Sequence, residues 1–122
     1  MLAGKRAIRL GDDILKEIAV LLLEKVRDPR VHGVTLTGIQ LSSDLRTAKV
    51  YYSVMGGEGQ VVTAQKGLDS AKGFIKKQIG LRMMLRYVPE ITFLHDMSLQ
   101  KGSRLEKLLD ELTVSDSGDG TE

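Results

Sequence analysis

Leu68-Asp69-Ser70-Ala71-Lys72-Gly73-Phe74-Ile75-Lys76-Lys77-Gln78-Ile79 is the stretch on which the fold turns. Before it, Val61, Ala64, Leu68 and Ala71 recur at helical spacing and predict a helix from Gln60 to Ser70. After it, Phe74, Ile75, Ile79 and Met83 predict a second, from Phe74 to about Leu85. Ala71-Lys72-Gly73 joins them with small residues that permit a sharp change of direction at no steric cost. Two helices meeting at a kink are expected, although one straight helix tolerating Gly73 satisfies the same periodicity.

Outward on the N-terminal side lie two strand patterns. Val34 to Leu41 shifts its apolar parity at Gly38, which calls for a β-bulge there. Ser42, Ser43 and Asp44 supply turn chemistry. Arg46 to Val54 then alternates, with Ala48, Val50, Tyr52 and Val54 on one face and Thr47, Lys49, Tyr51 and Ser53 on the other, as an antiparallel hairpin partner should. Further out, Ile8, Leu15, Ile18, Ala19, Leu22, Leu23 and Val26 mark an amphipathic helix from Lys5 to Arg27, stopped by Pro29. On the C-terminal side Val88-Pro89 leads into a third strand, Glu90 to Asp96, with Ile91, Phe93 and His95 opposite Thr92 and Leu94. Leu105, Leu108, Leu109 and Leu112 predict a short amphipathic helix over Ser103–Leu112 that docks on the body. One domain over residues 1–112 and a disordered acidic tail over 113–122 are expected.

The composition narrows the chemistry. With 122 residues and 42% hydrophobic residues, one ordinary core is expected. The longest apolar run, Ile18–Leu23, is too short to span a bilayer, and no secretory signal follows Lys5 and Arg6. No cysteine is present, which excludes disulfides and thiolate chemistry and fits a reducing, cytoplasmic setting. His32 and His95 have no ligand spacing around them, so no metal or other cofactor is expected. Adjacent strand residues point to opposite faces, so His95 and Asp96 do not form an acid–base pair. Gly56, Gly57 and Gly59 lack the Gly-Lys-Ser/Thr ending of a phosphate loop and read as a linker. All 18 Lys and Arg precede residue 108 with 11 of the 16 acids, leaving that part at +7, whereas residues 110–122 carry −5. A basic body is the footprint of a domain that approaches phosphate, though a solvated surface can be mildly basic without a partner.

The order helix, strand, strand, helix, kink, helix, strand is that of a type II KH-like α+β domain, with a three-stranded sheet packed on helices. In KH domains a GXXG loop between the paired helices clamps single-stranded nucleic acid. Here Ala71-Lys72-Gly73 replaces it. This junction running into Phe74-Ile75, together with Lys16-Glu17-Ile18, Arg27-Asp28-Pro29-Arg30, Leu41-Ser42-Ser43-Asp44-Leu45, Ala48-Lys49-Val50-Tyr51 and Leu85-Arg86-Tyr87-Val88-Pro89-Glu90-Ile91, resembles the ribosome-binding factor A family over roughly Ile8 to Gly102. The resemblance implies a bacterial, cytoplasmic, non-enzymatic protein that binds free 30S small ribosomal subunits and 16S rRNA. It further implies a part in late 30S maturation, processing of the 16S rRNA 5′ end and growth in the cold. Ribosomal proteins and a small-subunit maturation GTPase are further expected partners, and the protein is expected to be a monomer.

Aromatic residues make up only 4% of the chain, too few for a platform of stacked bases, so phosphate contacts should dominate binding. Lys72 at the kink with Gly73, and Lys76 one turn later, place two ammonium groups near the start of the third helix, with Arg82 and Arg86 in the same third of its circumference. A second patch comprises Arg27 and Arg30 beside Pro29, with Lys5, Arg6 and Arg9. For each lysine a solvated side chain with no partner stays open, and Arg30 pairing with Asp28 is an equal alternative to RNA contact. Tyr51 stacks on a base or on a neighbouring strand residue. Competing readings are a generic KH-like single-strand RNA binder, a small enzyme with a pocket around His95, Asp96 or Tyr87, and a protein-interaction domain with an acidic partner.

Overall fold

Ala7, Gly11, Ile14, Ile18, Leu21 and Leu22 form the buried face of the first helix, α1 (Lys5–Glu24). The computed structural model describes residues 5–97; the expected helix over Ser103–Leu112 and the tail over 113–122 lie outside the described residues. The buried face differs from the expected one, because Ile8 and Leu23 are 58% and 84% exposed and Ala19 is exposed. The cause is Gly11. A Cβ there would sit 3.3 Å from Ile39 Cγ2, so the helix backbone rests against the sheet along the Gly11 line and rotates Ile8 and Leu23 outward. The helix stops at Glu24, earlier than expected, and the chain reaches a 3-10 turn, Pro29–Val31, capped by the Asp28 carboxylate accepting from Arg30 N–H at 2.9 Å.

Strands β1 (Val34–Leu41), β2 (Thr47–Val54) and β3 (Glu90–His95) form one sheet in that order. β1 and β2 pair antiparallel, and the register shifts between Leu36 and Gly38, so the bulge lies where the parity change predicts it. β3 runs parallel to β2, a pairing that requires a long crossover. The crossover is α2 (Glu58–Arg82).

α2 corrects the expected pair of helices. It is one helix of 25 residues, roughly 37 Å long at 1.5 Å per residue, and passes through Ala71-Lys72-Gly73 without interruption. Its buried residues Ala64, Leu68, Ile75 and Ile79 keep one 3.6-residue phase across that junction, so burial demands no second axis there. Phe74, expected inside, is 43% exposed. Gly67 is the glycine on which the packing of this helix depends. A Cβ there would meet Arg30 Cβ at 2.8 Å and Val31 Cγ1 at 2.9 Å, and its absence lets α2 seat on the Pro29–Val31 turn.

Both helices cover the same sheet face. Ile14, Ile18 and Leu21 of α1, Leu68, Ile75 and Ile79 of α2, and Val50, Tyr52, Ile91 and Phe93 of the sheet make one core. Burying each large aliphatic or aromatic side chain contributes about 1.5–3 kcal/mol. The one hydroxyl this core encloses is satisfied: Tyr52 Oη donates to Gln65 Oε1 at 2.6 Å, and Gln65 Nε2 donates to the Phe93 carbonyl at 2.9 Å. Among the described residues no helix is long and apolar enough to cross a membrane.

Candidate nucleic-acid interface

Three segments distant in sequence meet at one edge of the domain, and the local structure of each explains the meeting. The β1–β2 turn is built by Ser42, whose Oγ donates to Asp44 Oδ1 at 2.6 Å and accepts from Arg46 N at 3.1 Å and Thr47 N at 3.0 Å. Leu45 takes a left-handed φ of 62°, and its side chain packs against Ala7, Leu41 and Ala48 beneath the turn. The Arg46 carbonyl accepts from Glu90 N at 2.8 Å. Arg46 is thereby fixed at both backbone ends while its side chain stays exposed. The hydroxyl of Ser42, with help from Arg46 N–H, holds the Asp44 carboxyl below the ordinary carboxylate range.

The second segment follows α2. Met83 N donates to the Ile79 carbonyl at 2.9 Å and Leu85 N to the Gly80 carbonyl at 3.0 Å, with Met84 between them at φ 55°. This is a Schellman ending with methionine where glycine is usual. It turns Leu85 in toward the core and Arg86-Tyr87 out. Tyr87 is 82% exposed, with the Arg86 guanidinium 5.9 Å from its ring centre. The third segment is the start of α1, which brings Lys5, Arg6, Arg9 and Leu10.

Between these segments runs a groove of about 560 Å³, floored by Leu10, Leu45, Leu85, Val88 and Pro89 and rimmed by Arg6, Asp44, Arg46, Tyr87 and Glu90. A second depression of about 560 Å³ lies alongside, lined by Lys5, Arg6, Arg9, Leu10, Asp13 and Leu85. Arg6, Leu10 and Leu85 line both.

The expected basic residues separate into two kinds. Arg30 makes a two-pronged pair with Asp28, 2.6 Å at the closest approach, and its Nη2 also donates to Ser70 Oγ at 3.4 Å. The guanidinium holds the Asp28 carboxyl below its usual range and is itself pushed up in return. Lys76 pairs with Glu90 at 2.6 Å, and this contact, with Lys72 a lesser contributor, holds the Glu90 carboxyl low. Arg82 pairs with Glu17 of α1 at 2.7 Å. Lys5, Arg6, Arg27, Lys72 and Arg86 make no ion pair among the described residues.

Lys72 and Lys76 both act on Glu90 from α2. Arg82 and Arg86 do not join them, since Arg82 reaches toward α1 and Arg86 lies beyond the helix end. Lys72 and Gly73 lie mid-helix, so no helix N-terminus faces them, unlike the expected arrangement. Arg27 lies with Lys25, Asp28, Ser70, Ala71 and Phe74 around a shallow depression of about 260 Å³, which brings the Pro29 turn beside the Ala71 junction. Tyr51 is half-buried on the central strand. His95 packs its ring 5.6 Å from that of Tyr52, and Asp96 accepts from Thr37 Oγ1 at 2.5 Å, so the two side chains serve different neighbours.

Sequence reasoning missed Arg46 and the placement of Tyr87. Arg46 directly follows the block Leu41–Leu45 and Tyr87 lies in the block Leu85–Ile91, and the two sit too far apart in sequence to suggest contact.

An α–β–β–α–β domain with a parallel third strand and two helices on one sheet face, with Ala71-Lys72-Gly73 at the position a GXXG would take, is a KH-like α+β fold. The profile of the family described as ribosome-binding factor A matches residues 6–109. This chain belongs to that family. It is 42% identical over 118 residues to the ribosome-binding factor A of Syntrophus aciditrophicus, covering 97% of this chain and 96% of that one. The solution structure of a Thermotoga maritima protein described as a putative ribosome binding factor A superposes with a TM-score of 0.66 at 33% identity, over 77% of this chain and 90% of that chain. The Thermus thermophilus homologue fitted into a cryo-EM map of a 30S complex shares the fold, with a TM-score of 0.61 at 23% identity over 75% and 96% of the two chains.

Proposed function

We propose that this protein is a ribosome-binding factor that associates with free 30S subunits by gripping phosphates of 16S rRNA, and so assists late 30S maturation. The observation that carries this reading is the convergence of cations on two adjoining depressions: Arg6 and Arg46 rim the groove, Lys5, Arg6 and Arg9 line the depression alongside it, and Arg86 stands next to the rim residue Tyr87. None of these five holds an ion pair among the described residues, so none gives up such a partner to meet a phosphate. Lys72 and Arg27 contribute a second contact region. Lys76, Arg30 and Arg82 act first as braces within the fold and reach phosphate only by exchanging partners. Gly73 is fully open, with nothing within 4 Å of an added Cβ, and admits a close backbone approach.

The family and a homologue's 30S complex support the choice of partner. Processing of the 16S 5′ end, a role in cold growth, a cytoplasmic setting, monomeric action, and contact with ribosomal proteins and a maturation GTPase complete the proposal. Catalysis plays no part in it.

The test is gradient sedimentation of the tagged chain from a bacterial lysate at low and moderately raised salt. Comigration with free small subunits and not with whole ribosomes, weakened by salt and by the double change Arg6→Ala and Arg46→Ala, is expected. Protein left at the top of the gradient at low salt overturns the reading. Broad comigration with all RNA species favours a generic single-strand RNA binder instead.

A further inference from the structure

We infer that the groove beside Tyr87 is a pocket for one unpaired RNA base, stacked on the Tyr87 ring, with Arg46 and Arg6 holding the phosphates on either side. The inference rests on the proposed RNA-binding function and adds to it a ligand class and a positioned residue.

Three independent features meet here. The first is the ring. A tyrosine that is 82% exposed leaves most of its ring in water, and the fold obtains little from it. Its exposure is also enforced, because the Schellman turn at Met84 turns Leu85 inward and directs Arg86-Tyr87 outward. The guanidinium of Arg86 at 5.9 Å keeps a cation beside the ring, a combination that suits base stacking with a neighbouring phosphate.

The second feature is the floor. Leu10, Leu45, Leu85, Val88 and Pro89 give an apolar surface, and the groove volume of about 560 Å³ lies within the roughly 300–1,000 Å³ span of sites that enclose a planar organic group. A site meant for phosphate alone has no use for such a floor. The third is the rim, where Arg6 and Arg46 stand with Asp44 and Glu90. The carboxylates disfavour a second phosphate inside the groove. The arginines favour phosphates at its mouth. A base inside and backbone outside satisfies both, whereas a paired base, already stacked and enclosed in a helix, cannot enter.

The scarcity of aromatics agrees with a single stacked base and excludes a platform of several among the described residues.

The experiment measures binding of the full chain to a single-stranded oligouridylate octamer, and to a fully base-paired RNA hairpin of the same phosphate number whose stem is closed by a non-nucleotide linker, at several salt concentrations. Because Tyr87 is exposed, Tyr87→Leu and Tyr87→Phe should both melt like the parent protein. Tyr87→Leu should weaken octamer binding roughly five- to 150-fold, the range that stacking on one aromatic side chain spans. It should leave hairpin binding within twofold and the salt slope unchanged, and Tyr87→Phe should restore the octamer affinity. Arg46→Ala should lower the salt slope for both RNAs, by about 0.7 for the octamer and about 0.9 for the hairpin. Octamer binding unaltered in Tyr87→Leu, or equal losses for octamer and hairpin, overturns the base pocket. If the same variant still comigrates with small subunits, the ribosome-binding reading survives that failure. A parent chain that binds neither RNA overturns the pocket, and its sedimentation then decides the wider reading separately.

Discussion

Lys76 Nζ lies 2.6 Å from Glu90 Oε1, joining the C-terminal third of α2 to the first residue of β3. The pair is solvent-accessible, so its net contribution to stability is small. Its larger effect is to occupy a cation next to the groove that Glu90 also rims. Glu90→Gln should therefore leave the melting temperature nearly unchanged, raise affinity for single-stranded RNA and steepen the salt slope by a little under one, as one more ammonium meets phosphate. Fluorescence anisotropy across a salt series checks this, and an unchanged slope would place Lys76 away from the RNA.

Two glycines in the same helix should respond in opposite directions to alanine. At Gly67 the added methyl meets Arg30 Cβ and Val31 Cγ1 under 3.0 Å, so Gly67→Ala should destabilise by about 1–3 kcal/mol. At Gly73 nothing lies within 4 Å, so Gly73→Ala should stabilise by about 0.5–1 kcal/mol through helix propensity. Urea unfolding of both variants reads the difference. Gly73→Ala should also weaken RNA binding if the backbone there approaches phosphate.

Met84 holds a left-handed φ of 55° at the end of α2. A non-glycine residue in that region costs roughly 1–2 kcal/mol. Met84→Gly should recover part of that cost, since the side chain is 89% exposed and gives up little packing. Thermal melts should show the gain.

Asp28, Asp44 and Glu90 are all held below their ordinary carboxyl values, each by a hydrogen bond as the main cause: from Arg30, Ser42 and Lys76 respectively. Below about pH 4 the unfolded chain binds these protons before the folded chain does. Their contribution is therefore complete above that value and disappears as pH falls through the lower folded values. The melting temperature should drop through the acid range, and Ser42→Ala should reduce the part due to Asp44. A flat acid limb in the parent protein would contradict this.

Most strand boundaries were legible because alternation ties each side chain to a face. Val34–Leu41 matches the sequence reading, Glu90–His95 falls one residue short of it, and the bulge follows from the parity change at Gly38. Helix faces were less legible. In α1, Ile8 and Leu23 share the spacing of the buried residues, and only the close approach at Gly11 decides which line faces the sheet. The junction Ala71-Lys72-Gly73 is compatible with either a break or a continuous helix, and the in-phase burial of Leu68 and Ile75 favours continuity. For the groove, the cations of α1 were visible as a charge cluster. Arg46 and Tyr87 became site residues only when the parallel pairing of Thr47 with Glu90 brought their segments together.

That parallel pairing also sets an order of assembly. The β1–β2 hairpin closes over the five residues 42–46, whereas β3 joins β2 only across the 35 residues 55–89. Loop-closure entropy makes the second closure about 1.7 kcal/mol more costly, by the logarithm of the sevenfold difference in length. As the chain leaves the ribosome that makes it, the hairpin can exist while one edge of β2 still stands open, and Ile91 and Phe93 have yet to emerge. The groove, which needs Arg46 and Tyr87 side by side, is then completed last, and the chain acquires its proposed RNA site only once the sheet is whole.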